Sequence, residues 1–142
     1  MNAGRPMPAP RSRDYVLLAA GALSAGMGLY HFFLPAQFGW ADLLAHDRML
    51  RWALLSINTF FSYLLLAGGV LTLAVAWRPR PRDRSAYDVV VAMTGFWTLN
   101  AAYQWLSPMP LPPRLGILHV VLLGFALITL ALHAWALHPS RR

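Results

Sequence analysis

Apart from His133, five imidazole or carboxamide side chains interrupt the apolar stretches of this 142-residue sequence. Imidazole and carboxamide groups are costly in hydrocarbon, so their presence usually marks a ligand site or a contact between helices. Such groups can hydrogen-bond the carbonyls of a quinone, and a histidine can also ligate haem iron. The five candidate cofactor-binding residues are His31, Asn58, Asn100, Gln104 and His119.

A short repeated pattern places two of these residues at equivalent points. Tyr30-His31-Phe32 is followed by Pro35, and Tyr103-Gln104-Trp105 is followed by Pro108 at the same spacing. Because proline ends or kinks a helix, His31 and Gln104 each lie about one turn from the end of an apolar stretch. We expect these two side chains to join Asn58, Asn100 and His119 in one polar layer near the outer membrane face.

Haem ligation gives a sharper hypothesis for the histidines. His119 and His133 share a helix face at a spacing that suits two stacked b-type haems. The inner haem would need a partner near Leu17 or Leu18, and no ligand occurs there. A single haem b between His31 and His119 stays geometrically open, and a quinone headgroup is the other cofactor that the layer suits.

Other chemistries have little support in the sequence. There is no Cys, which excludes disulfides and thiolate metal sites. Asp42 and His46 are spaced as half a metal site, but no third ligand is near, so we predict no metal. No hydrolase or nucleotide-binding motif occurs, and no carboxylate lies deep in an apolar stretch for a proton path. The pattern therefore favours a protein that is not an enzyme.

The elements that carry these residues are predicted to be transmembrane helices. The chain is 58% hydrophobic and 12% charged, which is typical of a membrane protein. Four apolar stretches are each about long enough to span a bilayer, and only helices satisfy their own backbone there. The predicted spans cover residues 15–34, 52–77, 87–106 and 115–137, within a domain of residues 15–138.

Three segments complete this all-α, four-helix membrane bundle. Residues 1–14 form a basic, proline-rich tail that we expect to be disordered, and residues 139–142 form a basic C-terminal tail. The half-polar segment after Pro35 is predicted to form a short interfacial helix, with Trp40 at the headgroup level.

The arginines predict the orientation in the membrane. Nine of the twelve basic residues, all Arg, fall in the two tails and one loop, which indicates cytoplasmic termini in a bacterial inner membrane. The loop arginines are predicted to contact anionic lipid headgroups, and they account for the net charge of +7 without nucleic acid. These residues are Arg78, Arg80, Arg82 and Arg84.

An internal repeat is one of two possible arrangements. Besides the proline motif, Thr72-Leu73-Ala74 matches Thr129-Leu130-Ala131. The two segments lie near the inner ends of the second and fourth stretches. The chain is either two pseudo-symmetric helical hairpins or a bundle without internal symmetry, and the sequence leaves both open. In size and hairpin layout it resembles small four-helix bacterial families such as the DoxX-like proteins. It shares no motif with them, so no residue role is transferred.

Two functional hypotheses follow. The first is a non-catalytic accessory or assembly subunit of a larger membrane complex, with other membrane subunits or further copies of the chain as partners. The second is a redox or ligand-binding membrane protein that holds haem b or a quinone in the outer polar layer. An oligomeric pore ranks last, because no polar stripe continues through the inner half.

Overall fold

The computed structural model describes residues 12–78, 84–107 and 116–138, and over these ranges the chain is all-helical, as predicted. Four long helices overlap the four predicted apolar stretches, and two short ones follow the first. In chain order they are α1 (Ser12–His31), α2 (Leu34–Gln37), α3 (Trp40–Leu43), α4 (Arg48–Trp77), α5 (Arg84–Leu106) and α6 (Gly116–Leu137).

The helix ends depart from the prediction where local chemistry decides them. Helix α4 begins earlier than expected, because the Asp47 side chain accepts a hydrogen bond of 2.9 Å from the backbone N–H of Leu50 and caps the helix. The single short helix expected after Pro35 is instead two helices of four residues each. They are separated at Gly39, which adopts the left-handed conformation with φ of 60°.

Several predicted features lie outside the described residues. These include most of the basic tail, the loop arginines Arg80 and Arg82, the proline-rich turn after Ser107, and the C-terminal tail. Arg78 and Arg84, which border the loop, are described and exposed.

Two helices, α4 and α6, are long and apolar enough to cross a membrane. Helices α1 and α5 have a similar length but are less apolar, with Arg13 and Asp14 in the first and Asn100 and Gln104 in the second. Within the most apolar segments of α4 and α6, only 33% and 17% of residues are buried. The core helix of a water-soluble protein is mostly buried, so these exposed apolar faces favour a membrane setting.

Helix α1 packs mainly on α4, and α5 packs mainly on α6. The further contacts of α1 with α6 and of α4 with α5 give the cyclic order α1, α4, α5, α6, so α1 and α5 lie diagonally across the bundle. The α1–α4 contact is very close. A Cβ atom on Gly28 would collide with the backbone of Leu66, and one on Gly69 with the backbone of Ala25.

Two clusters of buried side chains hold the bundle together. One, at the start of α1 and α5 and the end of α4, contains Leu17, Val75, Ala76, Ala86 and Val90. The second lies nearer the opposite end and contains Leu65, Met93, Trp97, Ala101 and Ala126. This second cluster supports the region in which the predicted polar layer lies.

Candidate functional site

A cavity of about 700 Å³ lies at the end of the bundle where α1 and α5 end and α6 begins. Four of the five predicted site residues line it: His31, Asn100, Gln104 and His119. They come from three different helices and are all half-buried. The tertiary structure thus brings together side chains that the sequence could place only at a similar depth.

The segment from α2 to α3 forms one wall of the cavity. It contributes apolar side chains only: Leu34, Phe38, Trp40 and Leu43. The phenol of Tyr30, in the last turn of α1, donates a hydrogen bond of 2.8 Å to Oε1 of Gln37 in α2. This hydrogen bond holds the wall against α1, the helix that contains His31.

A carboxamide pair on α5 forms the polar part of the lining. Gln104 Nε2 donates a hydrogen bond of 2.6 Å to Oδ1 of Asn100, one helical turn earlier. The bond fixes both side chains while leaving the Asn100 amide N–H₂ group and the Gln104 carbonyl oxygen for other partners. The pair therefore presents a donor and an acceptor in fixed positions.

The two histidines contribute imidazole rings to the lining. The His31 ring packs on Phe61 of α4 with 4.9 Å between ring centroids, and Tyr30 meets it edge-on at 6.5 Å. Within the described ranges, neither the His31 nor the His119 ring makes a hydrogen bond. Among the described lining residues, hydrogen bonding between side chains is limited to the carboxamide pair.

Asn58 takes a different position from the one predicted. Its side chain is buried below the cavity lining, and Nδ2 donates a hydrogen bond of 2.9 Å to the backbone carbonyl of His31. The Asn58 side chain thus contacts the backbone of His31, which is a lining residue. Asn58 does not itself line the cavity.

Aromatic side chains from every long helix form the base of the cavity. The ring centroids are spaced by 4.9 to 5.7 Å along a continuous series. The series contains His31, Phe61, Phe96, Trp97 and Phe125, and all of these except Phe96 line the cavity. Two of the four neighbouring pairs are edge-to-face, an arrangement that aromatic pairs prefer, and the other two are tilted.

Trp97 is the only buried ring of this series, and sequence reasoning missed its main contact. Its side chain is 2% exposed, and Nε1 donates a hydrogen bond of 2.9 Å to the hydroxyl of Ser24 in α1. This buried bond crosses the bundle diagonal between α5 and α1. A tryptophan in the middle of an apolar stretch needs a partner for its N–H, and that requirement was the available signal.

Ser24 and Trp97 are 73 positions apart, which is also the separation between His31 and Gln104. Four pairs of lining residues share this separation: Met27 and Asn100, Tyr30 and Tyr103, His31 and Gln104, and Leu34 and Ser107. The cavity therefore lies between positions of α1 and α5 that share this separation.

His133 lies apart from the cavity in the interior of α6. The residue is fully buried, and its Nδ1 lies 2.8 Å from the backbone carbonyl oxygen of Thr129, so Nδ1–H donates to that oxygen. The other ring nitrogen, Nε2, is buried and has no hydrogen-bond partner. In the described residues no group of three or more His, Cys, Asp or Glu side chains could hold a metal ion.

Comparison with known proteins adds no further assignment: no family model, curated protein or solved structure matches this chain.

Proposed function

We propose that this protein is an integral membrane protein whose outer cavity binds a neutral ligand with a ring-shaped headgroup, of which a quinone is the best-fitting class. One observation carries the proposal. Side chains that donate and accept hydrogen bonds converge from α1, α5 and α6 above an aromatic base, in a cavity large enough for such a ring.

The membrane part of the proposal assigns four spans to α1, α4, α5 and α6. Their lengths of 20, 30, 23 and 22 residues suit a bilayer, which takes about 20 residues of helix. Large apolar side chains face outwards along α4, including Ile57, Phe60 and Leu64, each more than 60% exposed. With the arginine-rich loop on the cytoplasmic side, both termini lie in the cytoplasm of a bacterial cell and the cavity faces outwards.

The charge of the lining favours a quinone over haem b. No Arg, Lys, Asp or Glu is found among the described lining residues. A quinone headgroup is neutral, and the Asn100 amide and the imidazoles can donate to its carbonyl oxygens. A haem carries two propionates, which proteins usually stabilise with cationic side chains. His31 and His119 are potential iron ligands, so an absorption spectrum of protein made with ample haem separates the two alternatives.

Quenching of tryptophan fluorescence by a short-chain ubiquinone analogue tests the proposal. Trp40 and Trp97 line the cavity, whereas Trp135 lies elsewhere on α6. In nanodiscs we expect saturable quenching that is reduced in Trp40→Phe and retained in Trp135→Phe.

Replacing the carboxamide pair gives the matching binding test. Gln104→Leu and Asn100→Leu each remove a hydrogen-bonding group, so we expect Kd to rise about five- to tenfold. Thr98→Val is the control, because Thr98 is exposed on the same helix and its hydroxyl bonds within that helix, to the Thr94 carbonyl. If all three variants bind the analogue with the affinity of the unaltered protein, or if quenching never saturates, the result would count against a binding site in this cavity.

An accessory or assembly subunit is the second candidate function. The outward apolar faces of α4 and α5, with Tyr63, Leu99 and Trp105 each more than 60% exposed, suit other transmembrane helices as well as lipid. Purification in several mild detergents with mass spectrometry separates the candidates. Recovery of a stable partner would support a subunit, and a free monomer in every detergent would argue against one.

A further inference from the structure

The end of helix α1 leaves one backbone carbonyl without its usual partner. In a continuous helix, the N–H of residue 35 would donate to the carbonyl of His31, but residue 35 is proline and has no N–H. The chain stays helical on both sides of this point, since Phe33 has right-handed helical angles and α2 begins at Leu34. The missing donor is therefore a defect within an otherwise helical path.

Asn58 supplies the missing donor from the neighbouring helix. Its Nδ2 lies 2.9 Å from the His31 carbonyl oxygen, and the side chain is only 9% exposed. A buried carbonyl without a partner is strongly disfavoured in a low-dielectric interior. The α1 terminus therefore has one preferred position on α4, the position that completes this bond.

The same terminus carries the imidazole that lines the cavity. Phe61, three residues after Asn58 in α4, packs on the His31 ring, so one short segment of α4 holds both the backbone and the ring. On the other side, Tyr30 meets the ring edge-on and is itself held by Gln37.

We infer that Asn58 is a positioning residue: by replacing the donor that Pro35 removes, it fixes His31 at the wall of the ligand cavity. The effect on ligand affinity rests on the proposed function, whereas the effect on the His31 ring does not. Asn58 acts through His31 and does not touch the ligand.

Nuclear magnetic resonance of protein with isotope-labelled histidine tests the positioning directly, before any ligand is added. The His31 ring signal is assigned by its loss in His31→Gln. Asn58→Leu keeps a similar volume but removes the donor, so we expect the His31 signal to shift or broaden while the His119 signal stays in place. Thr59→Val is the matched control, because its exposed hydroxyl bonds only to Leu55 within α4.

A rescue variant separates positioning from a general loss of packing. In Pro35→Ala, residue 35 regains an N–H that can donate to the His31 carbonyl. The double variant Pro35→Ala with Asn58→Leu should therefore recover the original His31 signal. If Asn58→Leu proves unstable, Asn58→Ala, which removes the donor without adding a charge or a larger apolar group, replaces it in both comparisons.

Titration with the ubiquinone analogue then measures the consequence for binding. We expect Kd to rise about five- to tenfold in Asn58→Leu and to return in the double variant. An unchanged His31 signal in Asn58→Leu, or no recovery in the double variant, would overturn the positioning role. A shifted signal with unchanged affinity would overturn its effect on binding. If the unaltered protein does not bind the analogue, the proposed function fails, and the histidine signals still decide the role of Asn58.

Discussion

Three threonines in this bundle find their hydrogen-bond partners within their own helix. Thr72, Thr94 and Thr129 each donate to the backbone carbonyl four residues earlier, over 2.7 to 2.9 Å. A threonine that bonds in this way needs no partner from another helix. Among the described residues, these three threonines therefore create no binding site, in contrast to the polar side chains that line the cavity.

His133 differs from these threonines because one of its buried polar atoms has no partner, and this leads to a stability prediction. Its Nε2 is a buried acceptor without a partner, which costs about 1–3 kcal/mol in a folded protein. Leu has a comparable volume and no polar atom, so we expect His133→Leu to be neutral or to stabilise the bundle by up to about 1 kcal/mol. Thermal unfolding in detergent measures the change.

The control for this prediction is His138→Leu, since His138 is exposed just after the end of α6. A loss of stability well beyond that of the control would mean that the His133 ring has a partner that it needs in the folded protein.

At the scale of helices, the α1–α4 contact depends on the absence of side chains at defined points. Gly28 and Gly69 allow the two backbones to approach where any Cβ atom would meet backbone atoms of the partner helix. In the proposed bilayer setting, helices gain no hydrophobic attraction for one another, and close approach of this kind provides van der Waals contact instead. The position of α1 on α4, and so of His31 beside Asn58, follows from this contact.

A pair of glycine substitutions on α1 tests the contact. Gly28→Ala should destabilise the bundle by about 1–3 kcal/mol, because the backbone of Leu66 cannot move as a flexible side chain would. Gly26→Ala is the matched control on the same helix: its added methyl group meets no atom within 4 Å, and alanine favours a helix by up to about 1 kcal/mol. Similar thermal stabilities for the two variants would contradict a close α1–α4 contact.

At the scale of the whole molecule, the proposed topology places the two ends of the bundle in different compartments. The natural sequence has no Cys, so single cysteines can be introduced without background. We expect a membrane-impermeant thiol reagent to label Asp42→Cys, near the cavity, in intact cells. Arg84→Cys, at the exposed start of α5, should react only after the membrane is opened. Labelling of Arg84→Cys from outside would contradict the proposed orientation.

Helices α1 and α5 approach one another at positions that have the same separation along the chain. The hydrogen bond between Ser24 and Trp97 and the lining pair His31 and Gln104 both join positions 73 residues apart. The proline motif that contains His31 and Gln104 marks this separation in the sequence. The Ser24–Trp97 pair joins unlike residues, and sequence similarity cannot detect an equivalence of this kind.

The sequence alone determined the helices and their approximate ends. Long apolar stretches, proline stops and the arginine distribution are local properties of the chain, and they predicted α1, α4, α5 and α6 and the depth of His31, Asn100, Gln104 and His119. Depth follows from distance along a helix, which the sequence gives directly.

Only the tertiary structure decided which of these residues face one another. The rotation of each helix about its axis depends on packing, through Gly28 and Gly69 for α1 and through the buried ring of Trp97 for α5. That rotation turned Asn58 towards the His31 carbonyl and away from the cavity, although its depth is similar to that of the lining residues. In an apolar stretch many apolar side chains can replace one another, so its sequence says little about how the helix is rotated about its axis. Contacts between helices decide that rotation.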